Sequence, residues 1–361
     1  MLQEQTIKLI SLTIDSVPCT VAEGTTLLSA ANATGIDIPT LCYLKDLAPD
    51  GSCRMCVVEV EGGRKGGLAT ACTELCAEGM IIHTKSPRVI EARRFVLDLL
   101  LSDHTFNCFS CARNGDCRLQ DYSLEYGLEN TTYRGMRSSV VPIDTSNPFY
   151  EFDAAKCIMC RKCARVCQIL QGKDTLSISH RGFKTRITTC HEQPRTDPRC
   201  ELCGNCVSVC PTGALSSKDQ INTFRSYEVK KTRTTCPHCA IGCQFDLLSK
   251  GNRLVGVNPA DGPSNNGMLC VKGKYASYPF VNAADRLTRP LIKKDGSFVE
   301  SSWDEALSLI ADKLTQIKAQ HGPDAIAGFS CSRATNEDNY LFQKMMRAGI
   351  GTNNIDNCAR V

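Results

Sequence analysis

The chain has 361 residues, 24 of them cysteine, and a formal charge of +4; that length suits several small domains better than one. The opening Met-Leu-Gln-Glu-Gln-Thr-Ile-Lys lacks a basic stretch followed by an apolar one, Arg93-Arg94 lies too deep for a twin-arginine leader, and no apolar run approaches ~18 residues. Secreted disulfide scaffolds and membrane spans are therefore excluded as readings, the expected setting is cytoplasmic and reducing, and the cysteines are expected to be metal ligands.

Residues 1–84 read as a small strand-rich domain. Ile7-Lys8-Leu9-Ile10 and Pro18-Cys19-Thr20-Val21 flank an Asp15-Ser16 turn, which is a hairpin pattern. Residues 25–31 predict a short helix closed by Gly35. Residues 57–60 predict a strand ending at Gly62-Gly63, and residues 80–84 a last strand. Ser86-Pro87 then starts a helix, with an N-cap and a proline in the first turn. Its apolar positions are Val89, Ala92, Val96, Leu99 and Leu100, and it delivers His104 at its end. This helix belongs to a His/Cys segment over 85–125. Residues 126–150 hold no cysteine and read as a linker. Residues 151–222 are cysteine-dense with short elements, and 229–285 hold a further cysteine group. From 286 the composition changes. Trp303-Asp304-Glu305-Ala306-Leu307 begins a long amphipathic helix, and residues 324–329 read as a buried strand, as at the start of an α/β domain. The class is α+β, multidomain.

Five ligand sets follow from spacing. Cys42, Cys53, Cys56 and Cys72 are spaced C-x10-C-x2-C-x15-C. Thiolates at this spacing suit a 2Fe–2S cluster, with zinc as the alternative; the plant-type pattern has a shorter first gap, about four residues. His104, Cys108, Cys111 and Cys117 are spaced H-x3-C-x2-C-x5-C, which fits zinc or a 4Fe–4S cluster. Cys157, Cys160, Cys163, Cys167 and Cys200, Cys203, Cys206, Cys210-Pro211 both read C-x2-C-x2-C-x3-C. This is the bacterial two-cluster ferredoxin run, in which the fourth cysteine of each half serves the other cluster. Cys163 and Cys167 are one helical turn apart, so the fourth thiolate leaves its own loop. One cube is therefore expected on Cys157, Cys160, Cys163 and Cys210, the other on Cys200, Cys203, Cys206 and Cys167. Cys236, Cys239, Cys243 and Cys270 are spaced C-x2-C-x3-C-x26-C, a further cluster or a zinc ribbon. Cys19 and Cys76 are expected to be buried small hydrophobes. Cys190, His191 and His238 are expected not to ligate. With one 2Fe–2S and four 4Fe–4S clusters, thiolates and clusters together would carry roughly −9, so the formal positive charge is not a nucleic-acid surface. No Lys/Arg stripe with interleaved aromatics supports one either.

The first and second sets resemble the 2Fe–2S domain, of the β-grasp type, and the His-ligated 4Fe–4S site that follows it in complex I and in multimeric hydrogenases. Gly267-Met268-Leu269-Cys270-Val271-Lys272-Gly273 resembles the N-terminal 4Fe–4S domain of molybdopterin oxidoreductases. In that family the lysine matching Lys272 lies between cluster and pterin and relays electrons. Residues 331–340 and 351–361 resemble molybdenum/tungsten bis-pterin formate dehydrogenases, with Cys331 and Arg333 as candidate pterin neighbours. There the residue after Cys-Ala-Arg-Val is the selenocysteine or cysteine metal ligand. Cys358 lies four residues early and reads as a neighbour. The chain ends one residue before that ligand, as expected if a selenocysteine codon was read as a stop; a fragment boundary is the alternative.

The resemblance implies the N-terminal part of a cytoplasmic formate dehydrogenase catalytic subunit holding bis-molybdopterin guanine dinucleotide with molybdenum or tungsten. Formate would be oxidised to CO2, or CO2 reduced. Electrons would run through Lys272 and the Cys236 cluster, then the two ferredoxin cubes, to the His104 and Cys42 clusters. A flavin- and NAD(P)-binding subunit would collect them, with hydrogenase or ferredoxin as further candidate partners. No Gly-x-Gly-x-x-Gly turn is found between a strand and a helix, so nucleotide binding is placed on the partner. This chain alone is expected to be inactive with formate and to leave apolar surface exposed after 285. The alternative is an electron-relay subunit of a complex I-like or hydrogenase complex.

Overall fold

The computed structural model describes residues 8–62, 66–135, 142–189, 195 and 197–358. Ile7, Gly63, Cys190, His191 and the last three residues, all named above, lie outside them. The chain divides into two units, Met1–Val229 and Lys230–Val361.

The first unit opens with a five-stranded sheet. Strands β1 (Leu9–Ile14) and β2 (Val17–Ala22) form the expected hairpin. Asp15 and Ser16 take φ 45° and 70°, the left-handed pair that a tight two-residue hairpin turn requires. The Asp15 carboxylate also accepts the Thr84 N–H at 2.7 Å, tying the turn to the far end of the domain. Helix α1 (Leu27–Ala33) is capped by Thr26, whose hydroxyl accepts the Ser29 N–H at 3.2 Å. With β3 (Val57–Glu61), β4 (Gly67–Thr70) and β5 (Ile81–His83), the strand order is β2-β1-β5-β3-β4. The β1–β5 pair is parallel and the others antiparallel. Leu27 and Leu28 of α1 pack on Ile10, Leu12, Val58 and Ile82, so one helix crosses one face of a mixed sheet, as in a β-grasp fold.

Helix α2 (Pro87–Ser102) starts where Ser86 accepts the Val89 N–H at 3.3 Å. Of the positions read from the sequence, Val89 is buried and Val96 and Leu100 pack against the core, while Leu99 is exposed; Arg93, Leu97 and Leu101, not read as inward, are buried. The helix is apolar on more than one side, and the four-residue row is its most deeply buried. Phe95, on the outer side, meets Tyr133 edge-on at 6.0 Å. Arg93 is tolerated inside because its guanidinium donates to the Val57 carbonyl at 2.8 Å and to the Tyr126 hydroxyl at 3.0 Å. Helix α3 (Arg118–Glu125) follows. The expected linker is partly folded back. Thr131 Oγ1 and the Thr132 N–H donate to Asp98 at 2.7 and 2.8 Å, and the Gly135 N–H donates to the Ser102 carbonyl. A single carboxylate gathering a passing loop has no periodic signature.

Residues 150–217 contain β6 (Tyr150–Phe152), α4 (Lys162–Arg165), β7 (Leu176–Ser179), β8 (Arg186–Thr189), α5 (Asn205–Ser208) and β9 (Leu215–Ser217). The antiparallel pairs β6–β9 and β7–β8 enclose a small core of Tyr150, Phe152, Leu176, Ile187, Val207 and Leu215.

In the second unit, β10 (Lys230–Thr235), β11 (Gln244–Lys250) and β12 (Arg253–Pro259) form an antiparallel sheet over Phe245, Val257 and Leu269. A hairpin of β13 (Leu291–Lys294) and β14 (Ser297–Glu300) precedes α6 (Trp303–His321), where Ser302 accepts the Glu305 N–H at 3.1 Å. The buried strand expected at 324–329 is shorter and later: β15 (Gly328–Ser330) pairs in parallel with β16 (Ile355–Asn357). Asp324 and Ala325 fall in a tight turn, and Phe329 is 80% exposed. The turn Pro323–Ala325 takes up the residues expected to extend, and Phe329 leaves the outer face of β15 exposed. Helix α7 (Asn336–Lys344) lies between the two strands in sequence. Among the described residues, no helix is long and apolar enough to cross a membrane.

Candidate metal centres

Cys42 follows α1, Cys53 and Cys56 precede β3, and Cys72 lies just beyond β4; all four are buried. Arg54, inside the C-x2-C step, takes φ 60°, a left-handed conformation that costs a non-glycine residue about 1–2 kcal/mol. Such strain, held at one point between two cysteines, is a mark of a functional loop. The thiols interact in pairs. The Cys53 thiol donates to Cys42, holding Cys42 down to about 5 and raising Cys53. Cys56 donates to Cys72 in the same way, lowering Cys72 and raising Cys56. The Cys42 charge is also felt at Cys56 and Cys72, so the four sulfurs form one electrostatic group.

His104 follows the end of α2, its N–H donating to the Leu101 carbonyl at 3.0 Å. Cys108 opens a tight turn, and Cys117 sits at the N-cap of α3. His104, Cys108, Cys111 and Cys117 line one small cavity together with Lys156 and Gly213. Burial raises the Cys108 thiol and lifts that of Cys117 to about 11. Gly213 is required by close approach: a Cβ there would lie 2.4 Å from Cys111 Sγ. Arg225 clamps the same loop, donating to the Cys111 carbonyl at 2.8 Å.

The two ferredoxin-like halves share one backbone device. Met159 and Arg161 have φ 52° and 63°, and their counterparts Leu202 and Gly204 have 56° and 74°. The left-handed residues alternate with the cysteines and curl each loop. Burial raises Cys160, whose strongest thiol neighbour is Cys210; burial also raises Cys163, which feels Cys160, Cys157 and Cys210. In the other half, burial raises Cys200, Cys203 and Cys206, and all three feel Cys167. The charge of the fourth cysteine of each run is thus felt in the opposite half. Cys163 also feels Cys206, so the two groups are neighbours.

In the second unit, the Cys236 N–H donates to the Cys243 carbonyl at 2.8 Å, closing the loop at the end of β10. Burial raises Cys243, which feels Cys236, Cys239 and Cys270. Asn265 holds the returning segment, donating to the carbonyls of Ala260 and Met268 at 3.0 Å. Lys272 is exposed at the start of a short π-helical turn, Lys272–Ala276. Lys274, two residues on, is buried, with Nζ donating to the Val257 carbonyl at 3.2 Å. His238 meets Phe280 edge-on at 6.4 Å. Farther along, Cys331 and Cys358 follow β15 and β16, with their sulfurs 3.5 Å apart. Cys331 borders a cleft of about 890 Å³ with Asn339, Arg347 and Asp356. Cys19 and Cys76 are buried in the sheet core, and burial lifts Cys76 to about 11.

The donor chemistry fits iron–sulfur groups: soft thiolates, with one imidazole, gathered in fours. Among the described residues, no three His, Cys, Asp or Glu side chains converge closely enough for a single ion; a cluster spreads its ligands over several irons and needs a wider frame. Sequence spacing did not point to Lys162, Gly213 or Lys274. The basic pair Arg161-Lys162 inside the C-x2-C step was the only visible signal for the first.

Residues 8–87 match the 2Fe-2S iron-sulfur cluster binding domain, and 93–132 the NADH-ubiquinone oxidoreductase-G iron-sulfur binding region. Residues 147–216 match the ferredoxin-like domain of NADH-quinone oxidoreductase subunit 3, 229–282 the molybdopterin oxidoreductase Fe4S4 domain, and 286–361 molybdopterin oxidoreductase. The chain is therefore a run of iron–sulfur domains leading into a molybdopterin oxidoreductase domain.

The chain is 40% identical to the NADPH-Fe(3+) oxidoreductase subunit alpha of Geobacter sulfurreducens, over 98% of this chain and 40% of that protein. It is 33% identical to a Staphylococcus aureus (strain USA300) protein whose name, formate dehydrogenase, is provisional, over 97% of this chain and 39% of that one. The chain thus spans about 40% of the length of these curated relatives. A chain of an NAD+-reducing [NiFe]-hydrogenase crystal structure superposes with TM-score 0.51 at 29% identity, covering 60% of this chain and 90% of that one.

Proposed function

We propose that this chain is the electron-conducting part of a formate dehydrogenase, the reversible formate/CO2 enzyme of the molybdenum/tungsten bis-pterin type. The conducting role is supported by the spacing of nineteen cysteines and His104 in five sets, and by the electrostatic influence of Cys210 on Cys160 and Cys163 and of Cys167 on Cys200, Cys203 and Cys206. In this reading Cys42, Cys53, Cys56 and Cys72 hold a 2Fe–2S cluster. Four 4Fe–4S clusters sit on the His104 set, on Cys157/Cys160/Cys163/Cys210, on Cys200/Cys203/Cys206/Cys167, and on Cys236/Cys239/Cys243/Cys270. Each would supply one-electron transfer. Lys272 would relay electrons toward the pterin, and a flavin- and NAD(P)-binding partner would exchange them at the other end. The formate assignment is supported by residues 331–340 and 351–361 and by the name of the Staphylococcus aureus relative.

A second reading, an electron-relay subunit of a complex I-like or hydrogenase assembly, is favoured by the hydrogenase neighbour. Two measurements decide. Reconstituted chain should bind about 18 irons, from one two-iron and four four-iron groups; stoichiometric zinc with little iron would remove both readings. In the full-length enzyme with its partner subunit, anaerobic formate should bleach the iron–sulfur absorbance. Bleaching by NADPH or hydrogen but never by formate would leave only the relay reading.

A further inference from the structure

Lys162 is 7% exposed, and it lies where two ligand sets approach each other. Its neighbours Cys160 and Cys163 belong to the Cys157 set. On either side of it in sequence, Arg161 pairs with Asp50 at 3.9 Å and Arg165 donates to the Ala48 carbonyl, so the start of α4 is docked on the loop between Cys42 and Cys53. Ile158 and Cys160 share one apolar cluster with Leu41, Cys42, Cys53 and Met55. Burial lowers the Lys162 pKa; the charges of Cys160, Cys42 and Cys53 oppose that shift and favour the ammonium, while its cationic neighbour Arg118, which donates to the Thr40 carbonyl at 3.5 Å, adds to it. No carboxylate ion pair to Lys162 is recorded among the described residues. A buried cation needs a compensating negative charge. Here the sulfurs of two sites provide it.

We propose that Lys162 is an electrostatic bridge that raises the reduction potentials of the Cys42 and Cys157 sites together. The inference rests on the iron–sulfur reading of those two sets. Adding an electron makes a thiolate-bound cluster more negative, and a fixed positive charge in a dry environment favours that state. One cation shared by two sites lowers the cost of reduction at both, and so shifts both potentials in the same direction. An Arg at this position keeps the charge, whereas a Met of similar length removes it and nothing else of comparable size.

The test is a potentiometric titration of the cluster-loaded chain followed by electron paramagnetic resonance, with Lys162→Met and Lys162→Arg. Lys162→Met should make both sites about tenfold harder to reduce, about 59 mV for a one-electron couple, and Lys162→Arg should restore both. A shift at one site only, or at neither, in protein with full iron overturns the proposal. The wild-type chain offers a readout that needs no variant: with both sites reduced, their signals should broaden through spin coupling, and unbroadened signals overturn it equally. Absence of iron signals in the wild type would instead remove the cluster reading itself, so the two failures are separable.

Discussion

Cys167→Ala tests the exchange between the two ferredoxin-like halves. Cys167 lies four residues after Cys163, beyond α4, and its charge is felt at Cys200, Cys203 and Cys206. The charge of Cys210, by contrast, is felt at Cys160 and Cys163. Removing the Cys167 thiol leaves the second group three sulfurs, so of about 18 irons the variant should lose about one if a three-thiolate cluster persists and about four if it does not. The first group keeps all its ligands. Iron analysis and Mössbauer or paramagnetic resonance spectra of the reduced protein read this directly. The spectrum lost in Cys167→Ala should be the one lost in Cys203→Ala, and the spectrum lost in Cys210→Ala should match Cys160→Ala. If Cys167→Ala instead erases the Cys160 spectrum, each run serves its own cluster and the reasoning fails.

Three other outcomes are expected. Gly213→Ala places a methyl 2.4 Å from Cys111 Sγ, so it should displace that sulfur and deplete the His104 site of iron while the Cys42 site stays loaded; unchanged spectra would show that the Cys111 loop yields freely. Leu97→Ala removes a fully buried side chain from the cluster that also contains Cys42, Cys53, Cys117 and Cys160, and should cost about 2–5 kcal/mol in denaturant melts. A midpoint equal to wild type would contradict that packing. Hydrogen bonding from Ser332 and from Cys331 brings the exposed Cys358 thiol down to about 7. Because the thiolate is the reactive form, its alkylation rate in this chain should rise with pH and level off above about 7, and Ser332→Ala should move the inflection up toward the usual thiol range; an inflection already in that range in the wild type would refute the contact.

Much of the site was legible in one dimension, because cluster ligation is written in short steps. A C-x2-C-x2-C loop must curl, and the left-handed residues at Arg54, Met159, Arg161 and Leu202 are the form that curl takes. The hairpin at Asp15-Ser16 and the cap at Ser86 were readable for the same reason: each depends on bonds spanning three residues or fewer. The buried row of α2 was less legible, since a helix with apolar residues on several sides does not declare which row faces the core. The strand after Pro323 was misplaced because its extent depends on its partner, β16, some twenty-five residues later.

The amino-acid sequence by itself limited which residues can form each proposed ligand set, since spacing limits which thiols one cluster can reach. Only the tertiary structure decided what stands between the sets. Gly213 is a glycine because Cys111, about a hundred residues earlier, needs its space. Lys162 is a shared charge because α4 docks on the loop that carries Cys53. Distances across a fold arise from packing, which gathers residues that no local period relates, and a cation's influence on two redox sites is set by those distances and by how dry the space between them is.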